Sequence, residues 1–166
     1  SNVLAWLLNP NENHGFGKAF IARLNSYIAK DGLVSDEVAF KLLTMKYSDI
    51  VVYREWQNID ILIESQKEKY ILCIENKVDS NEGIGKELKL NQETAEEKEY
   101  KKKSQTERYY YACSKSDGLR NDSLDKSKTL QLFVYLSPRE QCPIEKKFIK
   151  ISYQDLVDYV LEPYLE

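Results

Sequence analysis

Hydrophobic and polar positions follow two different periods along this chain, and the change of period divides it into elements. Val3-Leu4-Ala5-Trp6-Leu7-Leu8 is an apolar run that reads as the end of a buried helix, stopped at Asn9-Pro10 because proline disfavours helix in the residue before it. Beyond the polar turn Asn11 to Gly15, the residues Phe16, Phe20, Ile21, Leu24 and Ile28 recur at three- and four-residue spacing. That spacing predicts an amphipathic helix, closed by Asp31-Gly32. Ser35 offers a cap to a shorter helix over residues 38–43.

From Ile50 the period falls towards two. Ile50-Val51-Val52-Tyr53, Ile59 to Ile63 and Tyr70 to Val78 predict three successive strands with short polar breaks. Residues 79–104 are dense in Glu and Lys around a Gly83-Ile84-Gly85 break and read as a solvated loop running into a helix. Gln105, Arg108, Tyr109 and Ala112 share one face of that helix, which continues to Cys113. A turn-rich stretch, residues 114–127, leads to a fourth strand, Leu130 to Leu136, ended by Ser137-Pro138, and a short extended run from Phe148 to Ile151 pairs beside it. Ser152-Tyr153-Gln154-Asp155 resembles a capping box with Asp in place of Glu. Tyr153, Leu156, Val157, Val160 and Leu161 form the apolar face of a last helix that Pro163 ends. The expectation is an α/β domain spanning residues 1–166, with a central mixed sheet of four to five strands flanked by helices.

Three charges interrupt these apolar strands. Asp60 sits in Ile59-Asp60-Ile61-Leu62-Ile63, and Glu75 and Lys77 sit in Ile74-Glu75-Asn76-Lys77-Val78. Burying a charge is costly unless a counter-charge, metal or substrate compensates it. Strand alternation puts Glu75 and Lys77 on the face of Cys73 and turns Asp60 away from Ile59 and Ile61. Adjacent strands lie roughly 4.8 Å apart, so the two carboxylates and the ammonium meet. Lys77 neutralising one carboxylate as a plain buried ion pair is the bland reading. Two acids against one base leave surplus negative charge, which suits Mg²⁺ or Mn²⁺ and phosphodiester hydrolysis.

Composition narrows the partners. With 24 Lys and Arg against 27 Asp and Glu, the net charge of -3 argues against nucleic-acid binding by bulk charge alone. Cys73, Cys113 and Cys142 are odd in number, far apart and without a CxxC, so neither a disulfide framework nor a structural zinc site is expected, and a reducing cytoplasm fits. No apolar stretch is long enough to span a bilayer, so no membrane partner is expected. The chain opens Ser-Asn without Met, and its natural N-terminus is expected upstream.

With Asp60 and the Glu75-Asn76-Lys77 motif in place, the chain resembles the PD-(D/E)XK nuclease superfamily, which has a restriction-endonuclease-like core. One bacterial branch is similar also at Ala5-Trp6-Leu7-Leu8-Asn9-Pro10, Asn13-His14-Gly15, Arg54-Glu55-Trp56, Gln105 with Arg108-Tyr109-Tyr110, and Tyr135-Leu136-Ser137-Pro138. Ile59 replaces the Pro that commonly precedes the Asp. The resemblance implies that Asp60 and Glu75 are metal ligands and Lys77 the catalytic lysine of a metal-dependent nuclease acting on nucleic acid, with DNA the expected substrate. It also implies a Gln105 that contacts the water or phosphate, and an acidic partner on the first helix, expected upstream. A catalytically inactive nucleic-acid-binding or protein-interaction module on the same fold is the alternative, and a homodimer suits cutting both strands of a duplex.

Other residues carry weaker expectations. Glu55, beside Trp56 near the turn into the second strand, serves either as a third metal ligand or outer partner, or as a solvated strand-end charge. Arg108 and Tyr109 are candidates for a phosphate and a base, against an ordinary helix face packed on the sheet. His14, the single histidine, either contacts phosphate or fixes the turn at Gly15. Lys101-Lys102-Lys103 leads into the Gln105 helix and reads as a solvated face or a non-specific phosphate contact.

Overall fold

The computed structural model describes residues 2–30, 32–56, 59–78, 103–114, 128–138 and 141–162. The charged stretch through Lys102 with its Gly83-Ile84-Gly85 break, the turn-rich stretch 115–127, Asp31 and Pro163 lie outside them.

Three helices come first: α1 (Asn2–Leu8), α2 (Ala19–Lys30) and α3 (Asp36–Thr44). The second starts three residues later than the periodicity predicts, because Gly17, at φ 51°, holds a left-handed turn that no helix accommodates. Ser35 caps α3 as expected, its hydroxyl accepting from the Val38 amide.

Strands β1 (Val51–Trp56), β2 (Ile59–Ser65) and β3 (Tyr70–Asn76) follow, then α4 (Gln105–Ser114), β4 (Leu130–Ser137), β5 (Ile149–Ser152) and α5 (Tyr153–Leu156). The sheet is mixed and five-stranded in the order β1-β2-β3-β4-β5: the first three strands form an antiparallel meander, and β4 and β5 add in parallel. A parallel neighbour needs a crossover, and α4 lies in the connection from β3 to β4. The Ser152–Asp155 capping box forms in full, but the last helix widens into a π-turn over Val157–Leu161 where a regular α-helix was expected.

Alternation along the strands divides the core between the two sheet faces. Ile61, Ile63, Leu72, Ile74, Val134 and Leu136 pack with α1, α2, α3 and the C-terminal helix. Leu62, Ile71, Cys73, Phe133 and Tyr135 pack with Tyr109 and Cys113 of α4. Ile59 joins this second cluster, against the expected alternation at the start of β2. On the larger side, buried Asn25 is satisfied at both ends of its amide: Nδ2 donates to the Tyr47 hydroxyl at 3.0 Å and Oδ1 accepts from the Tyr70 hydroxyl at 2.9 Å. Among the described residues, no helix is long and apolar enough to cross a membrane.

Candidate active site

Strand register builds the site. Leu62 pairs with Cys73 and Ile61 with Ile74, so continuing by one step sets Asp60 opposite Glu75. On the outer side, Arg54 pairs with Ile61 and Trp56 with Ile59, which leaves Glu55 opposite Asp60. One cross-strand row therefore carries three carboxylates, Glu55, Asp60 and Glu75.

Asp60 and Glu75 are held differently. Asp60 Oδ2 accepts the backbone N–H of Asn76 at 2.9 Å, which ties β2 to the end of β3. Glu75 is fully buried, and neither of its carboxylate oxygens accepts a well-aligned hydrogen bond among the described residues. Its company is mainly electrostatic, with Lys77 Nζ 2.9 Å from Oε1. Burial first, and then the Asp60 charge, push the Glu75 carboxyl up to about 7, although Lys77 and the Tyr109 hydroxyl draw it back. A buried carboxylate with open lone pairs facing a second carboxylate is a donor set that fits a hard divalent cation. No third His, Cys, Asp or Glu completes a metal-holding group among the described residues.

Lys77 is only 14% exposed, and its ammonium is shared between Glu75 and Gln105 Oε1, the latter at 2.5 Å. The amide nitrogen of Gln105 donates to the Tyr109 hydroxyl at 2.6 Å. Gln105 thus spends both ends of its amide on orienting protein groups. The N-terminus of α4 is fixed by a capping box absent from the sequence reading: Ser104 N–H donates to Glu107 Oε2 at 2.7 Å, and Glu107 N–H donates to Ser104 Oγ at 3.3 Å. That Ser104 amide holds the Glu107 carboxyl below its ordinary range.

The other expected site residues divide. Tyr109 is buried in the core beneath α4, with its hydroxyl engaged by Gln105, so stacking on a base is corrected to an internal role. Arg108 is half-buried on the same helix, and its Nε finds no hydrogen-bond partner among the described residues. Glu55 is exposed at φ 53°, a left-handed conformation that interrupts the extended strand within the carboxylate row. His14 is committed to its own loop. Its Nδ1 accepts the Phe16 N–H at 3.0 Å, which leaves the proton on Nε2 to donate to the Asn9 carbonyl at 3.0 Å, and the ring packs against Trp6, Phe16 and Phe20. The turn-fixing role accounts for every polar atom of that ring.

Tyr153, read from the sequence only as an apolar helix position, reaches the site from the other end of the chain. Its hydroxyl lies 2.7 Å from both Asn76 Oδ1 and the Lys77 carbonyl. The Lys77 N–H donates to the Leu136 carbonyl at 2.8 Å, so the backbone around Lys77 is anchored on both sides. No local pattern signals a contact across 76 residues, and an interior Tyr needing a hydroxyl partner was the available hint.

No curated protein and no solved structure matches the chain. A family model does match, over residues 1–164, nearly the whole length, and its coverage includes all three charges of the site. On that match, together with a mixed five-stranded sheet flanked by helices, the chain belongs to the PD-(D/E)XK nuclease superfamily.

Proposed function

We propose that this protein is a divalent-metal-dependent nuclease that hydrolyses phosphodiester bonds in DNA. The observation carrying the reading is the assembly of Asp60, Glu75 and Lys77, in which the buried Glu75 carboxylate faces Asp60 and lies 2.9 Å from Lys77 Nζ. Asp60 and Glu75 would hold Mg²⁺ or Mn²⁺, with Glu55 as the outer member of the same row. When bound, the cation supplies positive charge that polarises the scissile phosphate and acidifies a nearby water.

The remaining work falls to this chain's own side chains. Lys77, oriented by Gln105 and Glu75, donates to the attacking oxygen or to charge developing on the phosphate. The Asn76 amide keeps Asp60 aimed at Glu75, and Tyr153 steadies the backbone from which Lys77 projects. Arg108, half-buried on α4, is the proposed phosphate contact through its guanidinium. Two copies acting as a homodimer would cut both strands of a duplex.

Incubation with plasmid, linear duplex, single-stranded DNA and RNA in Mg²⁺ and Mn²⁺ tests the reading, with Asp60→Ala and Lys77→Ala as controls. Cleavage of DNA that both substitutions abolish is the expected result. Activity no greater than that of the controls on every substrate would refute an enzyme. Calorimetric Mn²⁺ binding that is indifferent to Asp60 and Glu75 would then leave a non-catalytic module on the nuclease fold.

A further inference from the structure

Strand β3 and helix α4 meet through two matched stripes of side chains. Cys73, Glu75 and Lys77 occupy every second position of β3 and its continuation, so they project to one face. Cys113, Tyr109 and Gln105 occupy every fourth position of α4 and line one side of the helix. Two strand residues advance roughly 6.7 Å and four helix residues about 6.0 Å, so the stripes stay in step over three rungs. Lys77 meets Gln105, Glu75 meets Tyr109, and the third rung is Cys73 against Cys113.

In that rung the two Sγ atoms lie 2.9 Å apart, closer than non-bonded sulfurs normally sit, and both cysteines are fully buried. They are 40 residues apart in sequence. We infer that Cys73 and Cys113 are the two halves of an intramolecular disulfide that covalently locks α4 onto β3, one rung below Glu75 and Tyr109. The inference rests on the fold and stands whether or not the protein cleaves nucleic acid.

The oxidant is a low-molecular-weight disulfide such as oxidised glutathione. One cysteine thiolate attacks it and expels a small thiolate, and the second cysteine then attacks the mixed disulfide and expels the other. The two cysteines lose two electrons and two protons, and one small disulfide becomes two small thiols. The reacting species is a thiolate that an incoming disulfide must reach, and both sulfurs are fully buried once α4 packs on β3. The bond therefore forms as the chain folds, before α4 closes over β3, and is shielded from exchange afterwards. A closed loop of this length restrains the unfolded chain, so the oxidised protein is the more stable form.

The test is to unfold the whole protein in reductant, refold it in mixed reduced and oxidised glutathione, trap free thiols by alkylation, and map the peptides. Free thiols are expected to fall from three to one, with Cys142 alone alkylated and a Cys73–Cys113 peptide recovered. The thermal midpoint should stand higher than in reduced protein, and the gain should vanish in Cys113→Ala. Three free thiols in protein that has regained native circular dichroism would overturn the proposal. So would a bridge to Cys142, or refolding that succeeds only in reductant. Because thiol counting uses the native sequence and needs no substrate, a failed cleavage assay leaves this outcome readable.

Discussion

Replacing Glu75 with Gln should reverse the usual effect of removing an ion-paired charge: in metal-free protein it should stabilise the fold, and only above acidic pH. Burial and the facing Asp60 raise the Glu75 carboxyl from 4.5 to about 7. Below 4.5 the carboxyl is protonated in folded and unfolded chains alike, so it makes no difference to stability. As pH rises through the window from 4.5 to about 7, the unfolded chain releases this proton while the folded one retains it, and stability is lost until the folded carboxyl has also ionised. At about 1.4 kcal/mol for each tenfold change in proton affinity, the penalty is on the order of 3 kcal/mol. Glu75 is fully buried, so solvent screening does not dilute it. Urea unfolding in chelator at about pH 4 and about pH 8 reads the effect. The advantage of Glu75→Gln over wild type should grow by on the order of 3 kcal/mol across that interval. Mn²⁺ at the higher pH should close the gap for wild type alone. An advantage independent of pH, or one that shrinks as pH rises, would refute the claim that Glu75 is a desolvated carboxylate facing another.

Three further substitutions separate positioning from packing. Tyr153→Phe removes the hydroxyl beside Asn76 and the Lys77 carbonyl, and should cost on the order of 1 kcal/mol in urea unfolding together with weaker Mn²⁺ binding; unchanged values of both would show that the anchor is idle. Ser104→Ala removes the hydroxyl that accepts from the Glu107 amide and opens that half of the capping box of α4, so a loss of about 1 kcal/mol in urea unfolding is expected; unchanged stability would argue against the box. His14→Phe retains the aromatic packing but orphans the Asn9 carbonyl and the Phe16 amide, so stability should fall by about 1–3 kcal/mol while cleavage per folded molecule stays level. A selective loss of cleavage would return His14 to the substrate.

Much of this protein was legible along the chain because its decisive signals are local. The apolar period marked the strands and the amphipathic helices, Ser35 and Ser152 announced their caps, and charges placed inside Ile- and Leu-rich strands exposed Asp60, Glu75 and Lys77. Each of these depends on neighbours a few residues away, which sequence order preserves. Contacts between distant segments carry no such mark. Only the packing of α4 on β3 turned Tyr109 inward, spent the Gln105 amide on Lys77 and Tyr109, and brought Cys73 to Cys113. Tyr153 meets Asn76 and Lys77 only because β5 delivers the C-terminal helix beside the end of β3. His14 read as a turn anchor ahead of a phosphate ligand, and the fold commits both its nitrogens to backbone. Residue types and local spacing determine which groups are costly to bury, and tertiary structure alone decides which partners they meet and hence how firmly each proton is held.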